Sequence, residues 1–362
     1  MAVVSLQCPN CGGELIFEPS SQQYECPYCG SHFVQEQIDE MQEKEQSSQA
    51  GTAAFGAGTE DERTAYREST QAEEAVAYRC PSCGAEIITD ETTAATFCYF
   101  CHNPVVLEGR VSGEYLPRWI IPFSVSRKKA EETFLETMKK KWFVKRGFFQ
   151  KKQIEKLTGV YLPYWNVRWK GQGWLQAEGT RVRIWRTGDV EHTETRFYRI
   201  RREGEMEFPQ IMETALKKAN RVLVESVQPY RQEEGKEFSI GYLSGFQAEK
   251  RDIEREEAQP HLLRDTEEYA ARMLRESVQG YATVTGQNSR ITTQEMDWDY
   301  VMVPVWTITY RGGNGKLYYF AMNGQTGKVS GVLPIDYPRL AGAALALAAA
   351  VLGLALLGGY LI

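Results

Sequence analysis

The start of the sequence has no positive charge, and the chain has no cysteine after Cys101. Residues 1–35 contain neither lysine nor arginine, and no charged segment followed by an apolar run opens the chain. Without that pattern a secretory signal is not indicated, so we expect the front of the chain to stay in the cytoplasm. In this reducing compartment, eight cysteines are expected to bind metal rather than form disulfides.

The sequence also lacks a recognisable catalytic motif. Gly171-Gln-Gly173 has no third glycine, and residues 312–317 have neither the Walker spacing nor the serine or threonine that would hold magnesium. His192 and His261 have polar, charged neighbours and no nucleophile motif, so we interpret both as surface residues. We therefore predict that the protein is not an enzyme.

The cysteines form two groups with one shared spacing, C-x2-C-x14-C-x2-C. A C-x2-C turn directs two thiolates at one ion, and two such turns close a tetrahedron. Four thiolates leave no open position for water, so we predict two structural Zn²⁺ ions, with redox-active pairs disfavoured because no βαβ pattern surrounds them. The predicted ligands are Cys8, Cys11, Cys26, Cys29, Cys80, Cys83, Cys98 and Cys101.

Glycine follows the second cysteine of three of the four pairs, at Gly12, Gly30 and Gly84. Glycine accepts the left-handed conformation that exposes backbone N–H groups to sulfur. The fourth pair has His102 at this position, so we expect it to be looser and to lose metal more readily. We interpret His32 and His102 as surface residues rather than spare ligands, because four cysteines already complete each site.

The charge around the predicted zinc ribbons disfavours nucleic acid. Residues 1–108 contain 18 acidic and 4 basic side chains, whereas the whole chain has a net charge of -6. A four-thiolate zinc centre adds further negative charge, and a phosphate backbone would be repelled. We therefore expect the ribbons to dock proteins.

Residues 36–75 are poor in large apolar side chains and predict a flexible linker. Its root-mean-square span is roughly 35 Å, which lets each ribbon sample separate partners.

In residues 109–338, apolar and polar side chains alternate in patterns that predict a mixture of strands and helices. Ser126 fits an N-cap, and Ala130, Phe134, Met138 and Trp142 recur on one helix face that we expect in the core. Residues 162–169 and 303–310 each contain a proline, then a tryptophan, and then alternating polar and apolar residues. This similarity indicates an internal duplication. Other predicted elements are strands at 181–187, 193–202 and 317–322, a turn at Asn323-Gly324, and helices at 209–226 and 266–279.

The stretch 127–156 is basic, with 11 basic and 4 acidic side chains and interleaved aromatics. A solvated helix end, a membrane-surface patch and a nucleic-acid contact all fit this pattern. The candidate residues for contact with an anionic surface are Lys139, Lys140, Lys141, Lys145, Arg146, Lys151 and Lys152.

The last 23 residues carry no charge. A helix of this length spans about 35 Å, enough for a hydrocarbon core of about 30 Å, so we predict a transmembrane anchor with everything before it in the cytoplasm. The sequence thus predicts an α+β protein in five parts. These are zinc ribbon 1 (1–35), an acidic linker (36–75), zinc ribbon 2 (76–108), an α+β domain (109–338) and a membrane anchor (339–362).

The motifs CPNCGGEL and CPYCGS, GYLSGFQAEKRD from Gly241, PVWTITY, and YYFAMNGQTGKVSGVLP from Tyr318 resemble a family of bacterial membrane-anchored double zinc-ribbon proteins. Members are often labelled TFIIB-type zinc-ribbon or primosomal helicase-like, although this chain lacks helicase motor motifs. Some resemble membrane partners of an SPFH-type protein that recruits a phage-shock-A homologue. The resemblance implies a membrane scaffold on the cytoplasmic face, acting in envelope stress. The alternative is a zinc-ribbon protein that binds nucleic acid in replication or transcription.

Overall fold

The structure is a computed structural model that describes residues 3–41, 76–98, 100–145, 157–219, 221–311 and 317–360. The predicted linker therefore lies mostly outside the described residues, as do Arg146, Lys151 and Lys152 of the basic stretch. The chain forms two compact units. The first contains Met1–Leu162, Lys218–Lys250 and Met302–Ile362, and the second contains Pro163–Lys217 and Arg251–Val301. The predicted mixture of helix and sheet is confirmed.

The first unit begins with short strands. A three-stranded sheet joins β2, β3 and β4, a hairpin joins β5 and β6, and β1 pairs with β8. Residues 35–41, after β4, are helical. The strand bounds are β1 Val3–Val4, β2 Ile16–Glu18, β3 Gln23–Glu25, β4 His32–Phe33, β5 Val76–Arg79, β6 Glu86–Thr89, β7 Thr93–Phe97, β8 Pro104–Leu107 and β9 Trp119–Ile120.

The largest sheet follows the order β1-β8-β7-β13-β10-β14-β15-β16 and also includes β9, β11 and β12. Its other strands are β10 Thr158–Thr187, β11 Val190–Thr214, β12 Lys236–Glu237, β13 Gln247–Glu249, β14 Thr283–Arg311, β15 Leu317–Asn323 and β16 Val329–Gly331. After β9, the α-helices are α1 Arg127–Lys139, α2 Arg221–Ser226, α3 Arg255–Glu276 and α4 Tyr337–Tyr360.

Helix α1 begins as the sequence predicts, because the Ser126 side chain accepts a hydrogen bond from the Lys129 N–H. Ala130, Phe134 and Met138 are buried on one face. The prediction for Trp142 is wrong: α1 ends at Lys139, and Trp142 is 81% exposed. The apolar repeat in the sequence therefore continues about one turn past the end of α1.

The second unit contains a long antiparallel hairpin of β10 and β11, paired from Tyr164↔Thr214 to Thr187↔Val190. Its base is buried, and a cluster of Leu175, Ala177 and Ile200 packs against residues of α3 and β14. Residues 181–187 and 190–197, at the tip, are exposed or nearly so on both faces.

The predicted helix at 209–226 is wrong over most of its length. Strand β11 continues to Thr214, and among the described residues of this range only Arg221–Ser226 are helical. Pairing overrides helix propensity here, because Phe208 stacks on Trp169 across the hairpin at 5.1 Å between ring centroids. The predicted helix at 266–279 is confirmed in position, but α3 begins earlier, at Arg255, where Glu256 and Glu257 favour a helix N-terminus.

In the second unit, the Pro-Trp segment of β10 forms a hydrogen-bonded corner. The Pro163 carbonyl accepts from the Ala215 N–H, and the Ala215 carbonyl accepts from the N–H groups of Asp252 and Ile253. The Trp165 Nε1–H then donates to the Ile253 carbonyl at 2.9 Å. This corner therefore fixes the chain two residues before α3.

In the first unit, the Pro-Trp segment of β14 makes the same set of bonds. The Pro304 carbonyl accepts from the Gly324 N–H, and the Gly324 carbonyl accepts from the N–H groups of Ser124 and Val125. The Trp306 Nε1–H donates to the Val125 carbonyl at 2.9 Å. Here the corner fixes the chain two residues before α1.

Candidate metal centres

All four C-x2-C turns share one backbone geometry. In the first, the Cys8 N–H donates to the Gly13 carbonyl at 2.5 Å, and the Gly12 N–H donates to the Cys8 carbonyl at 2.8 Å. Equivalent pairs of bonds recur in the turns that begin at Cys26, Cys80 and Cys98. The sequence motif therefore sets the local fold four times.

The residue after the second cysteine is left-handed in every turn. Gly12, Gly30 and Gly84 have φ between 69° and 74°, as the sequence predicts, and His102 has φ of 60°. A side chain at positive φ is strained, which glycine avoids. The fourth turn thus adopts the common geometry at a conformational cost.

The turns bring the cysteines together in two clusters. Cluster 1 contains Cys8, Cys11, Cys26 and Cys29, and cluster 2 contains Cys80, Cys83, Cys98 and Cys101; within each, all Sγ atoms lie within 4.8 Å of one another. Several Sγ–Sγ distances are 3.5 to 3.7 Å. A zinc ion bound at about 2.3 Å by four sulfurs holds them about 3.8 Å apart, so both clusters fit a tetrahedral ion.

The electrostatics of the thiols favour a bound cation. A hydrogen bond from the Ser31 hydroxyl, 3.2 Å from Sγ, lowers the pKa of Cys29 to about 6. Although the Gly13 N–H acts in the opposite direction, the sulfurs of Cys29 and Cys26 raise the pKa of Cys11 to about 12. Four thiolates at this spacing repel one another, and a divalent ion removes that penalty. The donor set is that of a closed structural zinc site.

The first cysteine of each pair is buried and belongs to the local core. In cluster 2, Cys80 and Cys98 pack with Ile87 and Val105. The potential cation-binding groups found among the described residues contain cysteine alone, so neither His32 nor His102 joins them.

The two clusters are joined directly. Glu14, next to cluster 1, is buried and accepts a 2.7 Å hydrogen bond from the hydroxyl of Ser82, which lies between the first two cysteines of cluster 2. Burial raises the pKa of Glu14. The two predicted ribbons are therefore in contact, although the sequence predicts a flexible linker between them. The sequence offers no signal for this contact, because the cysteine spacing sets each turn and does not specify a contact between the two.

Contacts with the rest of the first unit hold both clusters in place. Near cluster 1, Phe17 packs edge-on against Tyr242, with ring centroids 5.2 Å apart. Near cluster 2, the Lys218 ammonium pairs with Asp90 at 2.6 Å and Glu249 at 2.9 Å. Although partial burial opposes it, the bonds from Lys218 and Thr93 lower the pKa of Asp90 to about 2.

Helix α4 is a candidate transmembrane helix. Its apolar span, Tyr337–Ala355, has a mean hydropathy of 1.7 and no buried part, so its leucines are exposed. A helix of 24 residues is about 36 Å long, which matches a hydrocarbon core of about 30 Å.

These features define an α+β protein with two four-cysteine clusters suited to metal and one candidate transmembrane helix. The chain is 31% identical over 339 residues to the uncharacterized protein YdjG of Bacillus subtilis (strain 168), covering 94% of this chain and 92% of that protein. It therefore belongs to the YdjG family. No protein-family model and no solved structure matches the chain.

Proposed function

We propose that the protein is a non-enzymatic adaptor, anchored in the cytoplasmic membrane by α4, that docks proteins through its two cysteine clusters on the cytoplasmic face. Each cluster is inferred to be a zinc ribbon with one structural Zn²⁺. The observation that carries the docking role is an exposed aromatic ring at the same position of each cluster, the residue before the last cysteine.

The two aromatic residues are Tyr28, which is 69% exposed, and Phe100, which is 71% exposed. The other two turns have Asn10 and Ser82 at the equivalent position. The shared turn therefore does not require a ring. Large exposed aromatic side chains on a rigid, metal-held turn are typical of residues that dominate a protein interface.

Charge supports a protein partner with a basic surface. The cluster regions are acidic, and four thiolates around one divalent ion add about two negative charges to each. The resemblance to membrane-anchored double zinc-ribbon proteins suggests an SPFH-type or phage-shock-A-like partner and a role in envelope stress.

Co-purification of the full chain from membranes tests this function. Tyr28→Asn and Phe100→Ser introduce side chains that the other turns already carry, so zinc content is expected to stay unchanged. We expect the combined variant to bind a purified SPFH-type or phage-shock-A-like partner at least about tenfold more weakly. Each aromatic anchor that becomes buried in an interface contributes about 1 kcal/mol or more to the binding free energy. Tyr337→Asn, which removes an exposed ring outside the clusters, is the control. Unchanged partner binding by a zinc-replete variant would contradict the docking role.

A second candidate function is nucleic-acid binding, and the exposed hairpin tip favours it. Residues 181–202 carry seven arginines against three acidic side chains, and Trp185 stacks on His192 at 5.3 Å. Salt-sensitive gel shifts with the detergent-solubilised chain test this alternative. It predicts binding that is lost with Arg183→Gln and Arg199→Gln and retained with Lys128→Gln and Lys129→Gln.

We also infer that the α+β region arose by internal duplication. The support is the identical bonding of the two corners, in which Pro163, Trp165 and Ala215 correspond to Pro304, Trp306 and Gly324. In each corner the tryptophan holds the carbonyl that lies two residues before a helix. Because the same atoms serve the same role, matched substitutions are expected to have matched costs.

A further inference from the structure

The basic stretch after α1 is hydrogen-bonded to the residues that lead into α4. The Lys145 N–H donates to the Pro334 carbonyl at 3.0 Å, and the Asp336 N–H donates to the Phe143 carbonyl at 2.7 Å. Val144 and Ile335 form an isolated antiparallel bridge between these bonds. Residues 143–145 are therefore fixed beside the start of the candidate membrane helix.

Position 336 is also the N-terminal cap of α4. The Asp336 carboxylate accepts from the Arg339 N–H at 3.4 Å and pairs with the Arg339 guanidinium at 3.3 Å. Pro338 occupies the first turn, where its missing N–H costs nothing. Thus the start of the helix is well defined, and Tyr337, 69% exposed, marks it with an aromatic ring.

Next to this start lie exposed lysines and an exposed tryptophan. Paired strands lie about 5 Å apart and successive Cα atoms about 3.8 Å apart, which puts Trp142 within roughly 10 Å of Asp336. Lys139, Lys140 and Lys141 precede Trp142 and are exposed. None of these three ammonium groups pairs with a carboxylate in the part of the chain that the structure describes.

We propose that Lys139, Lys140, Lys141 and Trp142 form a docking surface for the anionic lipid headgroups that surround the entry point of α4. This inference rests on the membrane anchor of the proposed function and adds a lipid class and the residues that bind it. Tryptophan prefers the membrane interface, and lysine within a Debye length of about 8 Å is attracted to an anionic surface. Because α4 holds the surface at the bilayer, docking needs no separate encounter.

The placement favours lipid over the other interpretations of the basic stretch. A solvated helix end gives no reason for a backbone bridge that fixes residues 143–145, which follow the three lysines and Trp142, beside the start of α4. Nucleic acid bound there would have to approach the bilayer surface, which is itself negatively charged. Lipid headgroups are already present at that depth.

Quenching of tryptophan emission by brominated lipid tests the proposal. The full chain is reconstituted into vesicles of phosphatidylcholine, with or without phosphatidylglycerol, that contain lipids brominated near the headgroup. The part of the quenching that disappears with Trp142→Phe reports this residue, and Trp185→Phe is the control for an exposed tryptophan elsewhere. We expect a Trp142 contribution that is larger in vesicles containing phosphatidylglycerol.

The lysine contribution is tested with Lys139→Gln, Lys140→Gln and Lys141→Gln combined. Three lysines at an anionic surface shift the docking equilibrium by about two orders of magnitude, so the Trp142 contribution should fall to its level in phosphatidylcholine alone. The matched control is Arg127→Gln, Lys128→Gln and Lys129→Gln, which removes the same charge about 18 Å away along α1 and should leave quenching unchanged.

Each other outcome has a defined meaning. A chain that alkaline carbonate extracts from the vesicles overturns the membrane anchor and this inference with it. A chain that stays inserted while Trp142 remains unquenched, or is quenched equally in both lipids, overturns the lipid contact alone. Duplex DNA binding that is lost in the triple lysine variant, with quenching unchanged, overturns it in favour of nucleic acid.

Discussion

We predict that the hydrogen bond between Glu14 and Ser82 makes the two four-cysteine clusters stabilise each other. Glu14 is 5% exposed, and its carboxylate accepts from Ser82 at 2.7 Å. The informative perturbations are Glu14→Gln, which removes the charge but keeps the shape, and Ser82→Ala, which removes the donor. Each is made alone and then in combination.

The expected magnitude follows from the burial of the carboxylate. A hydrogen bond to a charged group contributes about 1.5 to 3 kcal/mol, and a buried acceptor that loses its donor costs about 1 to 3 kcal/mol. Each single substitution should therefore destabilise both clusters by about 1 to 2 kcal/mol. Since Glu14→Gln weakens the bond that Ser82→Ala removes, the double variant should cost less than their sum, with a coupling energy of about 1 kcal/mol.

Hydrogen exchange of the zinc-loaded, detergent-solubilised chain is the suitable assay, because it gives local opening free energies for each cluster separately. The Gly12 and Gly84 amides, which donate to Cys8 and Cys80, report clusters 1 and 2. A control cycle of Glu18→Gln with Ser82→Ala should be additive within about 0.5 kcal/mol. Additivity in the Glu14 cycle as well, with Ser82→Ala leaving cluster 1 unchanged, would refute the contact.

Three further predictions concern other parts of the chain. His102→Gly should relieve the strain of a side chain at positive φ, stabilise cluster 2 by about 0.5 to 1 kcal/mol and slow zinc release to a chelator. Gly84→His should destabilise cluster 2 and speed zinc release. Trp165→Phe and Trp306→Phe should each cost about 1 to 3 kcal/mol in urea unfolding, within about 1 kcal/mol of each other; a large difference would argue against equivalent corners. Asp90→Asn should lower the free energy of unfolding by about 1 to 2 kcal/mol at pH 7. Because the pKa of Asp90 is about 2 in the folded chain and near 3.9 in the unfolded chain, the difference between wild type and variant should be constant well above pH 3.9 and vanish as the pH falls towards 2.

The two four-cysteine clusters and several elements could be predicted from the sequence because their signals are local. The C-x2-C spacing specifies the turn, Ser126 specifies the start of α1, and the apolar run from Leu340 specifies a long exposed helix. In each case, residues a few positions apart determine the structure. The predicted turn after β15 is confirmed for the same reason, with Asn323 accepting from the N–H groups of the next residues.

What could not be predicted depends on contacts that are distant in sequence. The extension of β11 through Phe208 depends on Trp169, and the exposure of Trp142 depends on where α1 stops. The Glu14–Ser82 contact joins residues 68 positions apart, and the bridge of Val144 with Ile335 joins residues still further apart. No local pattern encodes either pairing, although both determine how the clusters and the candidate membrane helix are held.

Metal content decides whether the two cysteine clusters hold zinc. Elemental analysis of the full chain, purified in detergent from membranes, should give two zinc ions per chain, in line with two four-cysteine clusters. Cys8→Ser with Cys26→Ser should reduce the content to one, and so should Cys80→Ser with Cys98→Ser. Two structural zinc sites would be ruled out if the chain recovered from membranes contained no zinc and all eight of its thiols reacted with an alkylating reagent in the native state.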